Sequence, residues 1–324
     1  MQITALAGGI GGARFLRGLL AELAARTDAG AEPSQVTVIG NTADDITLFG
    51  LRVCPDLDTV MYTLGGGIEE SQGWGRSGET FAVKEELAAY GMQPQWFGLG
   101  DRDLATHVVR TQMMAAGYPL SAVTEALCAR WRPGVRLIPM SDERVETHVV
   151  IDDPDQPGQT KAVHFQEWWV RYHAAPPARS IVPIGVDAAR PAPGVLEALA
   201  GADLILLPPS NPVVSIGTIL AVPGIRDAVG TAAAPVVGVS PVIGGAPVRG
   251  MADACLTVIG VATSAGAVAG LYAGMLDGWL VDEVDADTAV DGVRVRALPL
   301  LMTDEPATRA IAAAALDLGA ELAG

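Results

Sequence analysis

Lysine is almost missing from this chain of 324 residues, where Lys84 and Lys161 are the only two. Neither follows a glycine, so the Gly-Lys-Ser/Thr signature of a Walker A loop is absent. That absence excludes the P-loop nucleotide hydrolases. Almost all of the positive charge is therefore carried by arginine.

Basic residues are also outnumbered by acidic ones. The chain has 21 Lys and Arg against 37 Asp and Glu, which gives a formal net charge of −16 at pH 7. Such a charge repels polyanions, so we expect no nucleic acid partner and no adhesion to anionic membrane surfaces. A phosphorylated ligand must then be held by local groups that overcome this field: backbone N–H groups, a few arginines or a cation.

Cysteine and histidine are scarce as well. The three cysteines lie far apart and form no CxxC pair, which is typical of a protein of the reducing cytosol, and we predict a cytoplasmic location. The four histidines are scattered and form no HExxH motif, so a zinc site is not expected. If a metal binds, oxygen ligands and a hard ion such as Mg²⁺ are favoured.

Long apolar segments are the last feature that the sequence has little of. The N-terminus has no basic leader followed by an apolar core, so no signal peptide is predicted. Residues 255–276 carry no charge and contain glycines at four-residue spacing, as in some membrane helices. Thr263 and Ser264 offer a helix N-cap in the middle of this segment, however. We predict two buried elements that meet at residues 262–264, and no membrane span.

The apolar pattern predicts the fold class. An apolar run at residues 2–7 leads into glycines, a helical pattern over residues 13–25 and a β-branched run at residues 36–39, the opening of a parallel α/β sheet. The pattern continues with apolar strands expected at 204–207, 236–239 and 280–282, and with helices at 196–199 and 225–229. We predict a single α/β domain over residues 1–324, with a Rossmann-like, mostly parallel sheet and helices on both faces.

Two regions interrupt this alternation. Residues 71–131 are richer in charge and in helix formers, which predicts a helical insertion. Residues 136–173 alternate polar and apolar side chains around a turn-rich stretch at 152–158, which predicts a β-hairpin.

The first candidate functional motif is the glycine-rich turn Gly8-Gly9-Ile10-Gly11-Gly12-Ala13-Arg14. A strand that runs into glycines and then into a helix lets backbone N–H groups approach a phosphate. The turn is not a dinucleotide fingerprint, because Arg14 stands at the third glycine position and the second strand ends in Asn41 rather than in an acid. A phosphate or nucleotide loop is therefore favoured, and an NAD site or a merely structural turn remain alternatives.

Two acidic motifs follow, Asn41-Thr42-Ala43-Asp44-Asp45 and Pro55-Asp56-Leu57-Asp58-Thr59. Both are expected near the carboxyl edge of the sheet, where open α/β folds bind ligands. Carboxylates brought together from the two loops could hold Mg²⁺ against a diphosphate. The alternative is that these acids cap helices.

Further polar loops extend the pattern. Gly98-Leu99-Gly100-Asp101-Arg102-Asp103, with His107 after it, could orient polar groups on a ligand or could be an ordinary helix start with a local ion pair. The loop that contains Ser210, Asn211 and Ser215 follows a buried strand. Such a loop suits recognition of a base or a phosphate, and an ordinary connection is the alternative.

Taken together, these motifs resemble the 2-phospho-L-lactate transferase (CofD) family of coenzyme F420 biosynthesis, especially its actinobacterial branch (FbiA). The resemblance covers essentially the whole chain. It extends through the turn at residues 8–12, the two acidic motifs, residues 100–107, Pro139-Met140-Ser141-Asp142, His164-Phe165-Gln166, the loop at 210–217, Ser240-Pro241 and Leu301-Met302-Thr303.

The resemblance implies a reaction and its participants. A guanosine diphosphate derivative of phosphoenolpyruvate or 2-phospholactate would donate its phosphoacid to the terminal ribityl hydroxyl of the deazaflavin Fo. GMP would leave, Mg²⁺ would be required, and the product would be coenzyme F420-0 or its dehydro form. The family also implies a homodimer.

On this resemblance we expect the site residues as follows. Asp45 and Asp58 would hold Mg²⁺, Asp58 or Asp56 would deprotonate the Fo hydroxyl, and Arg14 would neutralise developing charge. The nucleotide would contact Gly9, Gly11, Gly12, Ser210, Asn211 and Ser215. Fo would lie under the insertion, against Asp58, Asp101, Arg102, Asp103 and His107.

A non-catalytic alternative stays open. Nucleotide-sugar-binding regulators of the YvcK type share the glycine-rich turn and an Ala-Asp-Asp segment. The motifs Asp-Leu-Asp-Thr, Gly-Asp-Arg-Asp and Ser-Asn-Pro favour the transferase.

Overall fold

Fourteen strands and eleven α-helices alternate along the chain in the computed structural model, which describes residues 1–324. The strands are β1 (Gln2–Ala7), β2 (Gln35–Gly40), β3 (Ile46–Leu48), β4 (Leu51–Val53), β5 (Arg136–Pro139), β6 (Glu146–Asp152), β7 (Thr160–His164), β8 (Ala178–Ile184), β9 (Leu204–Leu207), β10 (Val236–Val239), β11 (Val242–Ile243), β12 (Ala246–Pro247), β13 (Gly278–Val281) and β14 (Arg294–Ala297). The helices are α1 (Gly9–Asp28), α2 (Pro55–Leu64), α3 (Ala82–Ala89), α4 (Asp101–Ala115), α5 (Leu120–Trp131), α6 (Val195–Ala200), α7 (Ile216–Ala221), α8 (Ile225–Gly230), α9 (Ala252–Val258), α10 (Ala265–Gly270) and α11 (Glu305–Ala323).

Seven of the strands form one parallel sheet in the order β14-β13-β10-β9-β1-β2-β5. The chain builds outward from β1 in one direction through β2 and β5, and then in the other direction from β9. The order therefore reverses between β1 and β9, and open α/β sheets bind ligands in the crevice at such a switch point. This sheet confirms the predicted Rossmann-like fold class, and the observed bounds of β1, β9 and β10 are those predicted.

Helices cover both faces of this sheet, as the apolar strands require. On one face, α1, α2, α5 and α11 pack over a core that includes Phe15 and Ile311. On the other face, the five helices from α6 to α10 cover a core that includes Ile205 and Trp279. Each such large side chain stabilises the fold by about 1.5–3 kcal/mol through burial.

The last helix, α11, packs along α1 and also touches β9, β10 and β13. The contact with α1 is close at Gly18, where a Cβ atom would lie 2.5 Å from Thr308 Cγ2. The N-terminal helix and the C-terminal helix therefore form one layer on the same face of the sheet.

The predicted hairpin is present as β6 and β7, which pair antiparallel. A third strand, β8, pairs with the other edge of β6 and completes a small sheet. Between β7 and β8, Trp168 is 1% exposed and its indole N–H donates to Pro176 O at 3.1 Å.

Residues 71–131 lie between α2 and β5 and carry α3, α4 and α5. Helix α5 packs on β5 and α2, and α4 packs on β4 and α5, whereas α3 buries no residue. Residues 255–276 contain the end of α9 and all of α10, and the Ser264 hydroxyl caps α10 by accepting from Ala267 N at 3.2 Å. None of the helices combines the length and apolar character that crossing a bilayer demands.

Candidate active site

The glycine-rich turn joins β1 to α1 at the switch point of the sheet. Gly9 has a φ of +62°, a backbone conformation that glycine adopts without strain. Gly8 N donates to Ser210 Oγ at 3.1 Å, and the Ser210 hydroxyl donates back to Gly8 O at 2.8 Å. A Cβ atom at Gly12 would lie 2.5 Å from Ser210 Oγ, and one at Gly11 would overlap the Pro209 carbonyl. The loop after β9 is thus fixed directly against the turn.

The polar side chains of this loop have different tasks. Ser210 is 3% exposed, and its hydroxyl group is hydrogen-bonded to the backbone N–H and carbonyl groups of Gly8. Asn211 accepts from Val213 N at 2.9 Å and from Val214 N at 3.2 Å, which shapes the loop itself. Ser215 Oγ lies 2.9 Å from where a Cβ atom of Gly8 would be. Of the three, Ser215 is the one whose hydroxyl faces the turn without being used to hold it.

Adding a methyl group at Gly11 is expected to separate this loop from the turn. Gly11→Ala should lower GDP affinity at least about tenfold and cost about 1–3 kcal/mol of stability, because the new Cβ meets backbone that cannot move aside. Isothermal titration and thermal melting measure the two effects. Gly270→Ala is the matched control, because that helical glycine has open space around it and should keep both properties. Unchanged GDP affinity in Gly11→Ala would mean that the turn does not bind the nucleotide.

Four buried carboxylates lie after β2 and at the start of α2, and we call Asp44, Asp45, Asp56 and Asp58 the acidic cluster. The first two follow β2, and the last two lie in the first turn of α2, where the helix dipole favours negative charge. Each is at most 8% exposed. Asp56 makes the contact with the turn, because a Cβ atom at Gly8 would overlap Asp56 Oδ2. Burial raises the pKa of Asp56 to about 6.

Asn41 holds this arrangement together. Its side-chain N–H donates to Asp56 Oδ2 at 2.9 Å and to Val214 O at 3.2 Å. Its side-chain oxygen accepts from Ala43 N at 3.0 Å and from Thr218 Oγ1 at 2.8 Å. One fully buried amide therefore joins the loop after β2, the start of α2 and the segment after β9.

Asp45 is fully buried and pairs with Arg52, whose Nη2 lies 3.2 Å from Asp45 Oδ2. Burial raises the pKa of Asp45 to about 7, Arg52 opposes this shift, and the negative charge of Asp58 adds to it. Asp45 and Asp58 are thus near enough for their charges to interact. Burial also raises the pKa of Asp44 well above its usual value, with help from the charges of Asp56 and Asp45.

Asp58 is contacted by side chains of α4. Arg110 Nη2 donates to Asp58 Oδ1, and His107 Nδ1 lies 3.8 Å from Asp58 Oδ2. His107 Nε2 lies 3.4 Å from Asp103 Oδ2, and Tyr62 donates its hydroxyl to Asp103 Oδ1 at 2.6 Å. Burial works to lower the pKa of Arg110, but the neighbouring groups, first among them the Asp58 carboxylate, together outweigh burial and raise the pKa.

Sequence reasoning missed Arg52 and Arg110, the two cations of the cluster. For Arg110 a signal was present, because Asp103, His107 and Arg110 recur at the spacing that places residues on one face of a helix.

Asp101 and Arg102 lie outside the acidic cluster. Asp101 accepts from Ala82 N and Val83 N, both at 3.0 Å, and so caps the start of α3. Arg102 Nη1 donates to Ser77 O at 3.3 Å. Of the residues expected at the acceptor, the structure brings Asp103 and His107 next to Asp58, and Asp101 and Arg102 next to residues 77–83.

Three oxygens of the acidic cluster bear on metal binding. Asp44 Oδ1, Asp45 Oδ1 and Asp58 Oδ2 are buried and make no hydrogen bond within the protein. Buried carboxylate oxygens without a partner are costly, and they are the ligands that Mg²⁺ prefers. Oxygens of this kind suit a hard divalent cation, but the three residues whose ligand atoms lie within 4.8 Å of one another are Asp58, Asp103 and His107, and no such set joins Asp58 to Asp44 and Asp45.

Comparison with known proteins shows which family the chain belongs to. A family model described as 2-phospho-L-lactate transferase CofD matches residues 3–299. A Thermobifida fusca protein named phosphoenolpyruvate transferase is 71% identical over 323 residues, which cover 99% of each chain. Proteins of the same name from Streptomyces griseus and Mycolicibacterium smegmatis are 64% identical, covering 99% of each chain, and 58% identical, covering 98% of each chain.

Solved structures show the same fold at low identity. Two crystal structures of a Bacillus halodurans protein, one described as a member of the UPF0052 family, match with TM-scores of 0.60 and 0.59. Their sequence identities are 18% and 17%, and both cover 97% of this chain, with 99% and 98% of their own chains aligned.

Proposed function

The chain belongs to the 2-phospho-L-lactate transferase CofD family, and from that premise we propose a specific transfer reaction. The family and the names of the relatives support a transferase that acts on phosphoenolpyruvate or 2-phospholactate. The donor would be the guanosine diphosphate derivative of the phosphoacid, and the acceptor the terminal ribityl hydroxyl of the deazaflavin Fo. GMP would leave, and the product would be coenzyme F420-0 or its dehydro form.

The observation that carries this proposal is the position of the acidic cluster. Asp56 contacts the glycine-rich turn at the switch point, and its charge interacts with that of Asp44, another buried carboxylate of the cluster. Such a cluster would repel a diphosphate unless a cation stood between them. A turn that offers N–H groups next to carboxylates that fit Mg²⁺ suits a reaction at a pyrophosphate better than binding of a neutral ligand.

Each part of the site would have its own task in this reaction. The N–H groups at the start of α1 would bind the donor phosphates, and Asp45 and Asp58, with Asp44 beside them, would hold Mg²⁺. Bound Mg²⁺ would supply positive charge that stabilises the developing negative charge at the phosphoryl group. Asp58 would accept the proton of the Fo hydroxyl, and Arg110 would keep Asp58 ionised and oriented.

The acceptor would bind between the acidic cluster and the segment from residue 71 to residue 131. Arg102→Ala is expected to weaken Fo binding about tenfold and to leave GDP affinity unchanged, because Arg102 holds residues 77–83 through Ser77 O. Deazaflavin fluorescence measures Fo binding, and calorimetry measures GDP binding. A parallel loss of both affinities, or of neither, would remove Arg102 from the acceptor site.

A regulator that binds a nucleotide sugar without catalysis remains the second candidate, since it would use the same turn and the Ala43-Asp44-Asp45 segment. Single turnover with Fo and each guanylylated donor separates the two candidates. We expect a product whose mass contains Fo and the enolpyruvyl phosphate, and GMP in equal amount. Sedimentation velocity tests the homodimer that the resemblance implies.

A further inference from the structure

Three arginines meet on the solvent side of the glycine-rich turn. Arg14 and Arg17 belong to α1, and Arg249 follows β12. A Cβ atom at Gly73 would lie 3.2 Å from Arg249 Nη1 and 2.9 Å from Ile10 Cγ2. The Arg249 guanidinium therefore lies beside Ile10, in the first turn of α1.

Only one of the three charges is neutralised. Arg17 Nη1 lies 2.5 Å from Glu70 Oε1. Arg249 Nη2 donates to the carbonyl oxygen of Gln72 at 2.6 Å, which leaves its charge uncompensated. Arg14 makes no hydrogen bond or ion pair. Burial and the charges of Arg249 and Arg17 lower its pKa, and the charge of Glu70 opposes this shift only in part. Two guanidinium groups that no ion pair neutralises repel when they are held near each other, and an anion between them would relieve that repulsion.

The position of Arg14 on α1 places its guanidinium group near Arg249 and near the glycine-rich turn. Arg14 follows Ile10 by four residues, so the two lie on the same face of the helix. Long side chains on a helix point back toward its N-terminus. The Arg14 guanidinium thus extends toward Ile10, where Arg249 already lies, and toward the N–H groups that the turn offers to a phosphate.

We propose that Arg14 and Arg249 form a subsite for the carboxylate of the three-carbon acid that the donor carries. This inference rests on the proposed function. In phosphoenolpyruvate and in 2-phospholactate the carboxylate is bonded to the carbon that bears the phosphate ester, so the two anionic groups must bind side by side. A guanidinium binds a carboxylate in bidentate geometry. With the phosphate at the glycine-rich turn, the carboxylate reaches the two arginines next to it.

The test compares two ligands that differ only in the carboxylate: phosphoenolpyruvate and vinyl phosphate. Their affinities are measured by calorimetry with Mg²⁺ and without Fo, for the wild type, Arg14→Gln, Arg249→Gln and Arg17→Gln. We expect the wild type to prefer phosphoenolpyruvate about tenfold or more, the magnitude of a charge-assisted hydrogen bond. Arg14→Gln and Arg249→Gln should each lose most of this preference, and Arg249→Gln should keep its affinity for vinyl phosphate and GDP. Arg17→Gln, whose charge Glu70 already neutralises, should keep the preference.

Several results would overturn the subsite. One is a wild type without the preference, and another is a preference that persists in both variants. A third is an equal loss of affinity for both ligands or for GDP, which would mean that the arginines contact phosphate. If Arg249→Gln does not fold, as judged by circular dichroism, Arg14→Gln decides alone, since its side chain makes no bond within the protein. The binding comparison contains no Fo. If transfer to Fo failed in a separate assay, that result would refute the proposed reaction, and the binding comparison would still test the subsite.

Discussion

Asp58→Asn is expected to lower kcat for transfer to Fo at least about 100-fold, since general base catalysis contributes roughly 10²- to 10⁴-fold. The substitution keeps the size of the side chain and its ability to accept a hydrogen bond from Arg110, but it removes the charge that would bind the metal and accept the proton. Single-turnover formation of GMP, at saturating Mg²⁺, measures the loss.

In Asp58→Asn, a loss of protein stability must be distinguished from a loss of catalytic activity. Arg110 is 1% exposed, and without the Asp58 charge it becomes a buried cation with a neutral partner, which costs about 3–5 kcal/mol when a pair is broken. The double variant Asp58→Asn/Arg110→Gln removes both charges and should regain most of the melting temperature. It should not regain activity. Turnover near the wild-type rate in either variant would show that Asp58 is not the base.

Mg²⁺ binding is expected to strengthen steeply with pH between about 5 and 8. Without metal, burial raises the pKa of Asp45, a proposed metal ligand, from 3.8 to about 7. Below this value the cation must displace the proton of Asp45, so affinity should rise by up to about tenfold per pH unit. Asp45→Asn should weaken Mg²⁺ binding about 100-fold or more and flatten this dependence. Calorimetry in buffers of different ionisation enthalpy counts the protons released.

The raised pKa values of Asp45 and Asp56 fix the sign of the effect on stability. Both groups have a folded pKa above the unfolded value, so the folded protein holds the protons more tightly. Their contribution to stability is fully present below about pH 4 and is lost as the pH rises through 6 and 7. The melting temperature of the metal-free protein should thus fall from pH 5 to pH 8, and Mg²⁺ should raise it most at pH 8. A Mg²⁺ effect that is equal at both pH values would contradict the assignment of the metal to Asp45.

The sheet could be predicted where apolar runs are continuous. Strands β1, β9 and β10 are short and apolar on both faces, and their bounds were predicted. Strand β14 was not predicted, because Arg294 and Arg296 break the apolar pattern at the edge of the sheet. No element was predicted for α11 either, although Asp304 before Glu305-Pro306 is a strong helix start, and its side chain accepts from Ala307 N at 2.8 Å.

The candidate site could be predicted in its parts but not in its pairings. The first acidic motif follows β2 and the second forms the first turn of α2, so their convergence at the sheet edge follows from topology. Asp56 contacts the turn and Asp58 does not, because the two side chains leave α2 in different directions. The partner of Asp58 is Arg110, which is 52 residues away in the sequence, so the pairing could not be read from the local pattern. Asp101 could not be distinguished from a ligand contact, because its partners in the start of α3 are set by the local path of the chain.

The helix that begins at the glycine-rich turn has consequences for biosynthesis. Strand β1 lies between β2 and β9, and α1 is covered by α11, so segments that are far apart in the sequence pack against each other. Domains generally fold as units during translation, and non-local pairing is slow. The apolar flank of α1 therefore stays uncovered until residues 305–323 have been synthesised.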